Sequence, residues 1–328
     1  MTSDLLEIIL ITYNRSTFLE RTMRELADSP FRDYKITLLD NCSSDATPEV
    51  CAALKEAFPR LNVVRHPKNI GGNANYLRAI ELSTSPYTWI VCDDDTFDFS
   101  ASDEVIDAIV AGRDDLILVR PVTDGGVERI GRTTAQALVA DDYMFYFSLS
   151  FFPAIIFRTA LFDSECLMHG YRLIPDSYPQ FEFINKAVRE NFSVLIPETP
   201  MVIRNDVNVS TFSPLSWYKA WITCCRTITD HELKKETVSQ ATRLRGFVKS
   251  LGFWIALEKK INKHDFYHKV TTVFVSLDLP HKLLFLMFIP VIVIPLPFKL
   301  LIVARQFVYW LLRVPKNQIP PVEFDHQL

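Results

Sequence analysis

Four polar clusters carry residue types that can do chemistry, and three of them sit at or just after an apolar run. Asp93-Asp94-Asp95 places three carboxylates side by side. Such a run is costly to hold together unless a cation neutralises it. A hard divalent ion, Mg²⁺ or Mn²⁺, takes one or two carboxylates and leaves positions for phosphate oxygens. It would stabilise charge building on a leaving diphosphate. The plain alternative is a solvated acidic turn, extended by Asp98 and Asp103. In Leu38–Asp45, Asp40 closes an apolar run, where its carboxylate can accept from a base N–H or a ribose hydroxyl. The alternative there is an Asx turn, with Ser44 or Asp45 capping the next helix. Thr12-Tyr13-Asn14-Arg15 offers a loop surface against which a nucleobase can pack. Asn69-Ile70-Gly71-Gly72 holds two of the nine glycines, which let backbone approach a ligand closely, and Arg78 follows at a distance from which it can reach a phosphate. A simple turn with a surface arginine would read the same way.

The elements that must position these clusters alternate in type over the first 120 residues. Leu5–Thr12 is an apolar run of the kind buried on both faces. Ser16 is placed to cap a helix whose Leu19, Met23 and Leu26 share a face. Strands are expected over Tyr34–Leu39, Leu61–Val64, Thr88–Val91 and Leu116–Val119, and helices around Val50–Phe58, Asn75–Leu82 and 103–111. This order predicts a mostly parallel, Rossmann-like α/β sheet flanked by helices, with ligands beyond the carboxyl ends of the strands. The polar clusters fall at those ends. Further on, Ser148–Phe157 is expected as a strand and Phe181–Arg189 as a helix, and the pattern from Trp217 to about Lys263 is helical.

The 328 residues allow one large domain with an appendage, and with 48% apolar residues a sizeable core can form. A net charge of −4 of mixed sign argues against a nucleic-acid binder. The six cysteines form no C-x-x-C pair, which argues against zinc and disulfide frameworks and for a reducing compartment. No signal-peptide pattern precedes the first strand.

Together, in this order and at these spacings, the four clusters resemble the family 2 glycosyltransferases of the GT-A fold. The resemblance covers roughly residues 5–120 well and 145–205 loosely. It implies a nucleotide-sugar donor held by Thr12, Tyr13, Asn14, Arg15, Asp40, Asn69, Gly71, Gly72 and Arg78. Asp93-Asp94-Asp95 is similar to the family's D-x-D motif, whose first or middle aspartate (here Asp93 or Asp94) touches ribose and whose last ligates metal. Mn²⁺ or Mg²⁺ would therefore sit on Asp95 with Asp93 nearby. His169 is a further candidate ligand, as in some GT-A enzymes. The Asn-Ile-Gly-Gly…Arg segment is similar to rhamnosyl- and galactofuranosyl-type members. Phe151–Arg158 and Tyr178-Pro179-Gln180 resemble bacterial O-antigen enzymes of the abequosyltransferase type, which would transfer abequose from its CDP donor. One departure stands out. Inverting members carry Glu-Asp before a helix in the second half, whereas Asp176–Glu182 lacks that dipeptide and Gln180 occupies the aspartate's place. Asp176 or Glu182 is then the candidate base, since a base needs only hydrogen-bond reach of the acceptor hydroxyl.

The C-terminal third differs in character. Leu283–Phe298 carries no charge but is shorter than the roughly twenty residues that span a bilayer, and Pro290, Pro295 and Pro297 interrupt it. Leu300–Leu312 is apolar except for Arg305 and Gln306. With Lys282, Lys299, Arg313 and Lys316 around them and Tyr309 and Trp310 among them, these segments read as an interfacial attachment; a buried apolar subdomain is the alternative. The expected division is residues 1–212, catalytic, and 213–328, helical and membrane-associating. The family resemblance adds a polyprenyl-diphosphate-linked glycan acceptor at the cytoplasmic face of the inner membrane. A nucleotidyltransferase and a non-catalytic membrane-bound scaffold are the rival readings. The first conflicts with Thr12–Arg15, which is not a glycine-rich phosphate loop, and the second with four intact motifs.

Overall fold

The computed structural model describes residues 2–119, 130–141, 151–174 and 179–203, and, in the C-terminal third, 255, 258–259, 266–276, 282 and 285–286. The chain divides into two compact units, Met1–Thr211 with Thr227–Lys234, and Phe212–Arg226 with Lys235–Leu328.

In the first unit every side chain of β1 (Leu6–Thr12) is buried, because helices cover both faces of the strand. Buried Glu7 is its one charged residue, and it is fully partnered. Lys35 Nζ (2.8 Å), Thr37 Oγ1 (2.7 Å) and Thr84 N–H (3.0 Å) all donate to it. β2 (Lys35–Asp40) and β4 (Tyr87–Cys92) flank β1 in parallel register, and β3 (Leu61–Arg65) extends the sheet beyond β2. The connecting helices are α1 (Ser16–Ala27), α2 (Thr47–Ala57) and α3 (Gly72–Leu82). Two boundaries differ from the sequence expectation. Arg15, with no side-chain cap, takes the position before α1, and Ser16 instead donates its backbone N–H to Asp45 Oδ2 across the sheet end (3.2 Å). α3 begins at Gly72, three residues early, because Gly71 adopts a left-handed φ of 84° that starts the turn.

After β4 come the two-residue strand β5 (Thr96–Phe97) and α4 (Ser102–Ala111), then β6 (Leu116–Leu118), β7 (Gly131–Thr134) and α5 (Ala135–Asp141). Within the expected strand Ser148–Phe157, residues 148–150 lie outside the described residues. Phe152–Ala154 form a 3₁₀ turn, and the strand itself, β8, is Ile155–Arg158. α6 (Ser164–Arg172), α7 (Phe181–Arg189), β9 (Ser193–Ile196) and β10 (Val202–Ile203) follow.

The sheet order is β3-β2-β1-β4-β8-β6-β9-β7. It is mixed, not mostly parallel: β8 runs antiparallel to both β4 and β6, and β7 antiparallel to β9. Because β8 reverses direction twice over, β4, β6 and β9 still point the same way as β1. Their carboxyl ends therefore share one edge with the polar loops. Trp89 is fully buried beside β8, packed against Phe31 and Phe97, with its indole N–H donating to Pro153 O (3.0 Å).

In the second unit, α8 (Phe266–Ser276) carries Lys269, whose ammonium donates to the fully buried Glu258 (2.9 Å). Among the described residues no helix is long and apolar enough to cross a membrane. Apart from Phe285 and Leu286, the apolar segments from Leu283 to Leu312 lie outside the described residues, as does the Trp217–Lys263 pattern except for residues 255, 258 and 259.

Candidate active site

Three loops leave the carboxyl ends of β1, β2 and β3 and are knitted to one another. Asn14 takes a left-handed φ of 52°, donates its N–H to Ser43 Oγ (2.8 Å) and accepts at Oδ1 from Ser44 N–H (2.7 Å). Asn41 ties the second loop to the third: its amide donates to Asn69 Oδ1 (2.9 Å) and its Oδ1 accepts from Ile70 N–H (3.0 Å). Asn69 also accepts from Gly71 N–H (2.8 Å). Asp40 is buried; its Oδ1 accepts from Ser43 N–H (2.9 Å), and its Oδ2 lies 3.4 Å from Arg65 Nε. Both Asp45 oxygens cap backbone, at Ser16 and at Thr47. Thr12–Arg15, Asp40, Asn69, Gly71 and Gly72 thus form one continuous rim. Tyr13 and Ile70 remain exposed on it.

The acidic run closes this rim from β4, and its three carboxylates have different partners. Asp93 is buried and turns back to the first loop. Thr12 Oγ1 donates to its Oδ2 (2.6 Å), Arg15 Nη1 to its Oδ1 (3.2 Å), and Thr22 Oγ1 to its carbonyl (2.9 Å). The same Arg15 nitrogen donates to Asp94 Oδ2. Arg21 Nη2 holds the Asp95 carbonyl (3.1 Å). Burial pushes the Asp93 carboxyl up to about 6; Thr12 and Arg15 pull against that, and Asp94 adds to it. Burial, reinforced by the charges of Asp95, Asp94 and Asp93, keeps the Cys92 thiol protonated well above its ordinary range.

Among the described residues, one group could hold a metal ion: Cys92, Asp94 and Asp95, whose ligand atoms lie within 4.8 Å of one another. Asp93, expected beside Asp95, is not in that group. Thr12 holds the Asp93 carboxylate on the side of the first loop, while Arg15 bridges Asp93 and Asp94. The donor set fits a hard divalent ion, since Asp94 and Asp95 supply the carboxylate oxygens that such ions prefer to sulfur.

Two other candidates sit apart from this group. Arg78 pairs with Glu81, whose second oxygen accepts from Tyr171 Oη (2.6 Å). His169 is on α6, and its Nδ1 lies 3.4 Å from Glu182 Oε1 on α7. The two expected roles, ligand and base, therefore meet in one pair. The topology puts that pair at the site's end of the sheet: α7 leads into the amino end of β9, and Asn73 at the start of α3 donates to Ile174 O just past α6 (3.3 Å). Asp176 lies outside the described residues. Sequence reasoning missed Arg21, Thr22, Asn41 and Arg65 as supports; only Asn41, inside a motif, left any signal.

The model of glycosyl transferase family 2 matches residues 7–176. The chain belongs to that family, and it is a glycosyltransferase of α/β, GT-A-like fold. Among curated proteins no sequence matches it. Among solved structures it is similar to S. aureus TarS 1-349 (17% identity, TM-score 0.57, covering 83% of this chain and 80% of that one). The same protein in complex with UDP-GlcNAc is similar at 18% identity and TM-score 0.56, over 83% of this chain and 81% of that one. The mannosyltransferase PcManGT from Pyrobaculum calidifontis, in complex with GDP-Man and Mn²⁺, is similar at 14% identity and TM-score 0.50, over 95% of this chain and 88% of that one.

Proposed function

We propose that the chain transfers a deoxyhexose or hexose from a nucleoside-diphosphate sugar, with a divalent ion on Asp94 and Asp95, to a lipid-linked glycan at a membrane surface. The observation that carries this reading is the convergence of the knitted rim of Thr12–Arg15, Asp40 and Asn69–Gly72 on the Cys92, Asp94 and Asp95 group. The rim offers backbone and hydroxyl groups for a nucleoside, and the carboxylates offer a seat for an ion that neutralises a leaving diphosphate. The neighbours that hold UDP-GlcNAc, or GDP-Man with Mn²⁺, support a donor of this chemical class. Glu182 takes the acceptor's proton, with the His169 imidazole beside it (3.4 Å). Gln180, which has no basic group, stands where the family's aspartate would. Bacterial O-antigen assembly, with abequose or rhamnose as the sugar, is the setting the motifs favour. The cytoplasmic face of the inner membrane is the location that the apolar C-terminal segments favour.

Thermal unfolding of the purified chain with Mn²⁺ and each of CDP, UDP, GDP and dTDP tests the donor site. A ligand that binds only the folded state raises the midpoint, by about 2.7 kcal/mol of stability at a hundred times its Kd. One nucleotide should act strongly, only with metal, and not on Asp95→Ala. No shift with any of the four would overturn the donor site. Release of pyrophosphate, in place of a nucleoside diphosphate, would mark a nucleotidyltransferase.

A further inference from the structure

Arg15 occupies an unusual position. One guanidinium nitrogen contacts both Asp93 (3.2 Å) and Asp94, so it neutralises the carboxylate that the candidate metal group needs. A divalent ion on Asp94 and the guanidinium already beside it would repel one another. We propose that Arg15 is an internal counter-cation that holds Asp94 until metal arrives, and that its guanidinium then transfers to the diphosphate of the bound nucleotide. The inference rests on the donor-site reading above.

The surroundings allow that exchange. The root of Arg15 is fixed: its N–H donates to Thr47 Oγ1 (3.2 Å), its carbonyl accepts from Leu19 N–H (2.9 Å), and Asn14 before it is locked to Ser43 and Ser44. Any movement is therefore confined to the side chain, which is 27% exposed. The guanidinium already lies 5.8 Å from the centre of the Phe18 ring, a face along which it can slide while desolvated. Its departure leaves Asp93 with the Thr12 hydroxyl, so that buried carboxylate keeps a donor. The planar fork of an arginine matches phosphate oxygens better than a point charge does. Metal alone then has to displace Arg15, whereas metal with nucleotide gives it a new partner.

The opposed effects of one substitution are the signature. Mn²⁺ binding is measured by electron paramagnetic resonance on the full chain, with and without the nucleoside diphosphate that stabilises it best. Arg15→Gln should bind Mn²⁺ alone about tenfold more tightly than the parent, ~1.4 kcal/mol, and should bind nucleotide at saturating Mn²⁺ several-fold more weakly. Arg15→Met, which keeps the stem against Phe18, should do the same and serves if the glutamine variant melts early. Adding Asp94→Asn to either should abolish the gain in Mn²⁺ affinity. Unchanged or weaker Mn²⁺ binding in both Arg15 variants, while the parent binds ion and nucleotide, would overturn the inference alone. Absence of both ion and nucleotide binding in the parent and in both variants would overturn the donor site with it.

Discussion

Asp93 shows how one buried charge makes stability depend on pH. Its carboxyl is raised to about 6 in the fold against 3.8 in the open chain, so the folded state holds a proton that the unfolded state has lost between those values. Its contribution is fully present below 3.8 and is lost as pH rises through about 6. In chelator-treated protein, Asp93→Asn should therefore melt above the parent at pH 7.5, by an amount on the order of 2–3 kcal/mol, and the gap should close towards pH 4.5. Thermal melts at the two pH values check it; a gap that stays constant would refute it. Glu182→Gln should lower transfer on the order of 10²–10⁴-fold while leaving the nucleotide-induced thermal shift intact. Loss of that shift would mean a structural role. The acidic run, the asparagine loop and Asp40 were legible as residue types at strand ends. The division of labour within the run was not, because it is set by Thr12 and Arg15, some eighty residues away. Arg78, by contrast, has a local partner in Glu81, one turn on.

Among the elements, α3 and α6 meet at a point with no spare room. A Cβ on Gly170 would lie 2.9 Å from Leu77 Cδ2 and 3.0 Å from the Pro179 carbonyl oxygen. Leu77 is fully buried and a backbone oxygen cannot swing aside, so Gly170→Ala should cost about 1–3 kcal/mol in urea unfolding. Gly71→Ala meets no atom but must hold φ at 84°, which should cost roughly 1–2 kcal/mol and loosen the start of α3. A Gly71 variant as stable as the parent would show that the loop relaxes freely. β1 to β4 and their helices were readable because apolar period and length agree there. β7 was not, since Gly-Arg-Thr-Thr has no strand pattern, and its place comes from pairing with β9. Nor was the antiparallel insertion of β8, because an apolar run such as Ile155-Ile156-Phe157 suits either direction.

For the molecule as a whole, the proposal of membrane attachment makes a separate prediction. The full chain should float with vesicles containing anionic lipid, bind less at high salt, and lose binding when Lys299, Arg305 and Arg313 are changed together to glutamine. Recovery in the soluble fraction at every lipid composition would reject it. A different consequence follows from the strand order. β8 sits between β4 and β6, so the outer edge of β4 from Tyr87 to Trp89 pairs with residues made much later, up to Arg158. At ~5–20 residues per second, synthesis leaves that edge bare for roughly 3–13 s. The exposed span ends in Trp89, the largest fully buried side chain of the finished fold. During each round of translation this edge is a template for pairing with a neighbouring nascent chain. Ribosomes stalled before residue 155 should therefore crosslink to chaperones at Trp89, and those stalled well beyond 203 should not.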